Sequence, residues 1–216
     1  MNDLSRKQKI LQPIIPNELM PMNFEDRDDT YVSMALISDC SIIGEEIERL
    51  KFEQVVFQNV TFIDVSFRYV ELIDVIFERC DLSNSNFGDA SIHRVEFKES
   101  KLVGLNLSDA TLRNVSFSHC NANLCSFGYG DLKQVKFDTC SLRHADFYEA
   151  KFHLVDFKES DLYEVNFTGA ALKGIDFSSC TLNQLILSPE SLDGCIVTSE
   201  QAIGFAKLLL GLIIKE

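Results

Sequence analysis

The sequence predicts an all-β, four-sided β-helix closed by a C-terminal α-helix, and three observations carry that expectation. Every fifth residue from Phe52 to Leu187 is apolar without a slip of register: of 28 positions, 15 are Phe, 11 Leu, one Ile (Ile92) and one Ala (Ala122). Two places before each lies a second restricted column of mostly Val, Cys, Ala and Ser, as in Val55, Val60, Val65, Val70, Val75, Cys80, Ser85 and Ala90. Every fourth large residue then repeats in kind: Phe57, Phe77, Phe97, Phe117, Phe137, Phe157 and Phe177 form an all-Phe series, whereas Leu82, Leu102, Ala122, Leu142, Leu162 and Leu182 contain no Phe.

A five-residue period fits neither the 3.6-residue turn of a helix nor the alternation of a long strand. A chain with one large and one small inward residue in every five must turn a corner between them, and its unit reads small, polar, large apolar, free, free. Such units bury little alone and stack on their neighbours as a solenoid. Residues 20 apart behave as stacked neighbours, so each coil has four sides. At a strand spacing of about 4.8 Å, seven coils make a rod about 34 Å long, with the Phe rings of successive coils in stacking range. The frame continues back through Ile47, Ile42, Ile37 and Val32 and forward to Val197, which places the solenoid over residues 32–197.

Units such as Cys80-Asp81-Leu82, Ser85-Asn86-Phe87, Ala145-Asp146-Phe147, Ser160-Asp161-Leu162, Val165-Asn166-Phe167 and Ile175-Asp176-Phe177 resemble the Ala-(Asp/Asn)-Leu-x-x consensus of the pentapeptide-repeat family. That resemblance covers about three quarters of the chain. It implies a right-handed quadrilateral β-helix.

The ends differ from the repeat. Residues 1–31 hold Pro13, Pro16 and Pro21 and lack the five-residue pattern, so they are expected to form an irregular cap or arm. Pro189 ends the regular repeat. Thr198-Ser199-Glu200-Gln201 reads as a capping box, followed by a helix over about 199–210 with Gly211 as its stop, within a C-terminal unit 198–216. Ala202, Phe205, Ala206 and Leu209 make one apolar stripe, and Ile203, Leu208, Leu210 and Leu212 widen it around the cylinder. One end-cap cannot bury both faces. A two-fold homodimer joined end to end through Phe205, Leu208, Leu209 and Leu212 is therefore expected.

Residues with chemistry are few. All seven cysteines fall on the small inward column, five of them on one side of the coil, which reads as free thiols used as small core residues in a reducing compartment. His93, His119, His144 and His153 do not converge on a metal. No glycine-rich phosphate loop or Gly-x-Ser-x-Gly elbow is present, so no enzyme activity, cofactor or metal is expected. The longest apolar run, Leu208–Ile214, is seven residues including a Gly, against the roughly 20 needed to cross a bilayer. No charged segment followed by an apolar one opens the chain, and a cytoplasmic location without membrane contact is expected.

Charge supplies the functional clue. The formal net charge of −13 divides as −4 over residues 1–51, −7 over 52–187 and −2 over 188–216. Outward positions along one corner hold Glu71, Asp89, Asp109, Asp131 and Glu149, with Asp146 nearby and Lys151 opposing them. The C-terminal stretch, with Ser188-Pro189 and Val197-Thr198-Ser199-Glu200-Gln201-Ala202 before the apolar helix, is similar to the ends of the bacterial quinolone-resistance pentapeptide proteins. That resemblance implies a non-catalytic dimeric DNA mimic that binds DNA gyrase or topoisomerase IV and protects it from quinolones. Duplex DNA carries one charge per roughly 1.7 Å, or about 20 phosphates along 34 Å, so a repeat region of −7 imitates it only locally. The unbroken register from 52 to 187 also leaves no room for the projecting loops that several protective members carry. The alternative is a structural adaptor with another protein partner. Direct nucleic-acid binding is disfavoured by the sign of the charge.

Overall fold

In a computed structural model that describes residues 10–27 and 30–213, the chain winds into a square β-helix whose corners are set by backbone conformation. Every fifth residue from Met34 to Gly194, Ser179 and Pro189 excepted, has a positive φ. This residue is the second of the two positions that the sequence pattern left free. It is not free: a left-handed residue turns the chain through each corner, and Asn, Asp and Gly adopt that conformation at least cost. Asp39, Asn59, Asp64, Asp74, Asn84, Asp89, Asp109 and Asn114 follow the rule. Thr139, β-branched at φ 55°, does not. Replacing it, Thr139→Asn, is expected to stabilise the protein by about 1 kcal/mol, and a melting temperature that fails to rise would show that this corner holds no strain.

The strands are β1 (Met20–Pro21), β2 (Tyr31–Ser33), β3 (Ala35–Ser38), β4 (Ser41–Ile43), β5 (Lys51–Gln58), β6 (Thr61–Ile63), β7 (Glu71–Glu78), β8 (Ser91–Lys98), β9 (Thr111–Ser118), β10 (Asp131–Asp138) and β11 (Lys151–Lys158). From β5 to β11 the long strands pair in parallel at an offset of 20 residues, as in Phe57↔Phe77 and Phe117↔Phe137. Each of these bends across one corner and covers two faces, which we call the first (Phe52, Leu72, Ile92) and the second (Phe57, Phe77, Phe97). The third face (Phe62, Leu82, Leu102) and the fourth (Phe67, Phe87, Leu107) are held mostly by single bridges such as Asp81↔Lys101 and Asn86↔Asn106.

Inside, the aromatic column predicted from the 20-residue period is a stack. Phe57, Phe77, Phe97 and Phe117 follow one another at 4.8 Å with rings within 3° of parallel. Phe127 and Phe147 on the fourth face form a second stack at 4.7 Å. The two stacks meet edge-on across the core, Phe127 lying 6.0 Å from Phe117 and 5.6 Å from Phe137. Parallel rings along the axis and edge contacts across it are the two arrangements that aromatic quadrupoles favour.

The cysteines are buried or half-buried free thiols, and those at the corner between the second and third faces also act as donors. Cys80, Cys120 and Cys140 direct Sγ at the carbonyls of Phe57, Phe97 and Phe117, each at 3.4 Å. Ser100 and Ser160 do the same with Oγ at Phe77 and Phe137, again at 3.4 Å. Burial pushes the Cys80 thiol up to about 11, so it stays protonated and able to donate.

Both ends are closed. Met20–Pro21 pairs with Ala35–Leu36, and Phe24 lies buried over the first coil, 5.8 Å from Phe67, with Arg27 4.1 Å above its ring. Upstream, the proline-bearing segment forms no regular element from residue 10 to 19 and lies along the rod as a strap. Leu11 N–H donates to Asn114 Oδ1 (3.1 Å), Ile14 N–H to Asp74 Oδ1 (2.9 Å), and Ile14 O accepts from Gln54 Nε2 (3.3 Å). These partners descend one corner, so the strap runs along the rod against its direction of growth. Pro13 and Pro16 fix φ and keep it extended. Residues 1–9, the rest of the expected arm, lie outside the described residues.

At the other end α1 (Ser199–Leu210) begins with the expected capping box: Thr198 Oγ1 accepts from Gln201 N–H, and Gln201 Oε1 accepts from Thr198 N–H. Gly211, at φ 63°, terminates it. Gln201 Nε2 also donates to the carbonyls of Phe177 and Cys180, both at 2.9 Å, so the helix start satisfies the last coil.

Candidate partner-binding surfaces

Two surfaces were expected to meet partners, an acidic edge and the outer side of the C-terminal helix. The edge is the corner between the fourth and first faces, where Tyr69, Asp89, Asp109, Tyr129 and Glu149 are stacked, all left-handed. Backbone bonds such as Asp89 N–H to Ser108 O and Asp109 N–H to Gly128 O, each 2.9 Å, hold them in order. Because left-handed backbone itself selects Asp, Asp89 and Asp109 serve the turn as well as any partner.

The six predicted carboxylates are not equivalent. Arg68 pairs with Asp89 at 2.7 Å, Lys51 with Glu71 at 3.6 Å, and Arg113 with Asp131. Lys151 stands opposite Asp131 in the strand register, and long side chains from the neighbouring columns and coils also reach the carboxylates. Asp146 Oδ1 accepts from Tyr148 N–H (3.0 Å) and from Asn166 Nδ2 (2.9 Å), which ties it into the fourth face. Asp109 and Glu149 alone of the six meet no cation or side-chain donor among the described residues.

Between these two stands an aromatic residue that charge counting overlooks. Tyr129, 58% exposed, packs edge-on against Tyr148 at 5.4 Å. The 20-residue period that places Asp109 and Glu149 on the corner places Tyr129 between them, so the signal was present in the sequence. An exposed aromatic ring with its phenol between two unpaired carboxylates gives this stretch both apolar area and polar groups for a partner.

The helix residues divide. Phe205 packs against the core and Leu209 is half-buried, so these two close the rod's own end. Leu208 and Leu212 are 50% and 51% exposed, and Leu210 and Ile213 are exposed as well. A cleft of ≈ 670 Å³ between α1 and the last coil is lined by Cys180, Leu182, Leu185, Phe205 and Leu208. Of the four residues expected at one dimer interface, Phe205 and Leu209 are partly buried and Leu208 and Leu212 exposed, with Phe205 and Leu208 both on the cleft.

Comparison with known proteins follows the repeat. The family described as "Pentapeptide repeat region" matches residues 35–107, 70–147, 90–167 and 130–196. The uncharacterized protein YisX of Bacillus subtilis (strain 168) is 46% identical over 65 residues, 29% of this chain and 31% of that protein. The chain thus spans less than a third of that relative. Among solved structures, a trypsin-treated form of QnrB1, a plasmid-mediated fluoroquinolone resistance protein, is 15% identical with a TM-score of 0.45, covering 84% of this chain and 100% of that one. HetL, a protein involved in heterocyst differentiation regulation from the cyanobacterium Nostoc sp. strain PCC 7120, is 16% identical with a TM-score of 0.34, covering 78% and 90%.

Proposed function

We propose that this chain, which belongs to the pentapeptide-repeat family, is a non-catalytic rod that binds DNA gyrase or topoisomerase IV where DNA would lie and modulates its activity. The observation that carries the reading is the corner from Asp89 to Glu149, which sets carboxylates and Tyr129 at the repeat spacing along a straight edge. With Glu71, Asp89 and Asp131 ion-paired, the mimicry rests on Asp109 and Glu149. The variant Asp89→Asn/Asp109→Asn/Glu149→Gln keeps the left-handed corners and removes the charge. In a supercoiling assay with and without ciprofloxacin, the wild type is expected to inhibit or rescue gyrase at micromolar concentration, and this variant to be weaker by about tenfold or more, the equivalent of 1.4 kcal/mol. Equal potency of the two would rule out the corner as the binding edge.

The ion pairing favours a second reading, a structural adaptor whose partner is unrelated to topoisomerases. Absence of any effect of the wild type on gyrase would select it. In either case we propose a two-fold dimer through α1 and the residues after it, where Leu208, Leu210, Leu212 and Ile213 are exposed. Sedimentation is expected to show a dimer at micromolar concentration that Leu208→Glu converts to monomer; a monomeric wild type would refute it.

A further inference from the structure

The first face carries cations in an arrangement that the rest of the rod avoids. His93, Arg113, Lys133 and His153 lie directly opposite one another in consecutive parallel strands, His93↔Arg113, Arg113↔Lys133 and Lys133↔His153. Lys173 follows at the same position one coil later, and Lys151 occupies the neighbouring outward column. At the 4.8 Å rise shown by the Phe stack, the column is continuous along the axis.

Like charges directly opposite across a strand pair are unfavourable, and opposite charges favourable. Several lysines elsewhere obey this: Lys51 meets Glu71 at 3.6 Å, Lys101 meets Asp81 at 3.1 Å and Lys158 meets Asp138 at 3.2 Å, each across one coil. On the first face Arg113 finds Asp131 diagonally, while Lys133, Lys151 and Lys173 are exposed and form no ion pair among the described residues, although Asp131 stands opposite Lys151 in the strand register. A chain with 33 acidic residues and a net charge of −13 had many ways to neutralise this column. Burial and the neighbouring Arg94 push His93 below its ordinary value, so the positive stretch begins at Arg113.

We propose that this face is a docking surface for an acidic segment of a partner protein. Screening at physiological salt acts over about 8 Å, so carboxylates on the far faces do not cancel the field at Lys133 and Lys173, while Asp131 and the corner Glu149 lie beside Lys151; charge complementarity at the uncompensated lysines selects an anionic partner. Protein is the better fit than nucleic acid. The outward positions of the first face from Ser91 to Lys173 carry no Phe, Tyr or Trp on which bases could stack. Asp131, inside the patch, offers an acceptor that a polypeptide can use and a phosphate backbone cannot. The site adjoins the acidic corner, Lys151 lying two residues from Glu149, but the proposal does not depend on how that corner functions.

The test is fluorescence anisotropy of a short fluorescein-labelled oligoglutamate peptide titrated with the full chain. Saturable binding is expected, weakened about tenfold or more, or 1.4 kcal/mol, in Lys133→Gln/Lys151→Gln/Lys173→Gln and unchanged in Lys101→Gln, whose lysine is paired with Asp81 on the third face. Lys133→Gln alone is expected to raise the melting temperature, because it relieves the stacked charge. No binding by the wild type, equal binding by the triple variant, tighter binding of an oligothymidylate of equal charge, or a melting temperature that does not rise would each overturn the proposal.

Discussion

Phe117→Ala is expected to cost about 3–5 kcal/mol, the range for truncating a fully buried Phe, and to divide the unfolding of the rod into two transitions. Phe117 is 0% exposed and lies between Phe97 and Phe137 in the stack, 4.8 Å from each, with Phe127 edge-on at 6.0 Å. Truncation removes two stacked contacts and one edge contact, each worth about 0.5–1.5 kcal/mol beyond area burial. The ladder on either side prevents the walls from collapsing into the space. A solenoid is stabilised by contacts between neighbouring coils, so a weakened central interface uncouples the coils before it from those after it. Urea melts followed by circular dichroism are the check. Phe177→Ala is expected to cost less, because its ring is already tilted 30° and lies 5.8 Å from Phe157. A loss below 1 kcal/mol at Phe117 with a single transition would show that the stack does not carry the rod's cooperativity.

Arg94→Ala is expected to be nearly as severe and to free the N-terminal strap. Arg94 holds Asp74 through Nε–Oδ1 (2.6 Å) and Nη2–Oδ2 (2.7 Å), and Asp74 is only 6% exposed at its side chain. Removing one member of a buried pair leaves an uncompensated charge and costs about 3–5 kcal/mol. Burial raises the Asp74 carboxyl, but the hydrogen bonds from Arg94 and Ile14 and the Arg94 charge outweigh it and hold the group below the ordinary carboxylate value. A lowered folded value means that the stabilisation is complete above the unfolded value of about 3.9 and is lost as pH falls through the folded one. Acid melts of the wild type should therefore weaken below about pH 4, and Asp74→Asn should make that loss shallower, since other carboxylates remain. The strap is read by hydrogen exchange: the Ile14 amide should exchange faster in Arg94→Ala. Unchanged exchange there would mean that Asp74 does not anchor the strap.

The repeat frame, the two inward columns and the Phe stack were legible because they are periodic. A period of five with a longer one of 20 assigns each residue to a face and a height without any knowledge of contacts. The capping box at Thr198 and the stop at Gly211 were legible for a related reason, since both depend on residues three or four places apart. The left-handed corner was also written in the Asn, Asp and Gly of the last position, but Arg79, Leu124, Tyr129 and Leu154 share the site and dilute the signal.

The acidic edge shows where periodicity stops. Column membership put Asp89, Asp109 and Glu149 on one corner, and the rod does stack them there. It gave no access to Arg68 reaching Asp89 from 21 residues away, or Arg113 reaching Asp131 from 18. Likewise Pro13, Pro16 and Pro21 marked a segment outside the repeat, expected to be an irregular cap or arm, while its course along the rod became visible only in the bond from Leu11 to Asn114, 103 residues on.

By itself, then, the sequence determined that this protein is a four-sided rod with a stacked aromatic core and a helix over its last coil. Those features follow from burial repeated at a fixed interval, and the interval is written along the chain. Only the tertiary structure decided which carboxylates remain unpaired, which side of the helix is outward, and where the strap lies. A flexible arginine or lysine has several acceptors within reach on neighbouring coils, and an extended strap has four corners to follow; the choice among them rests on differences in local packing that no single column of residues encodes.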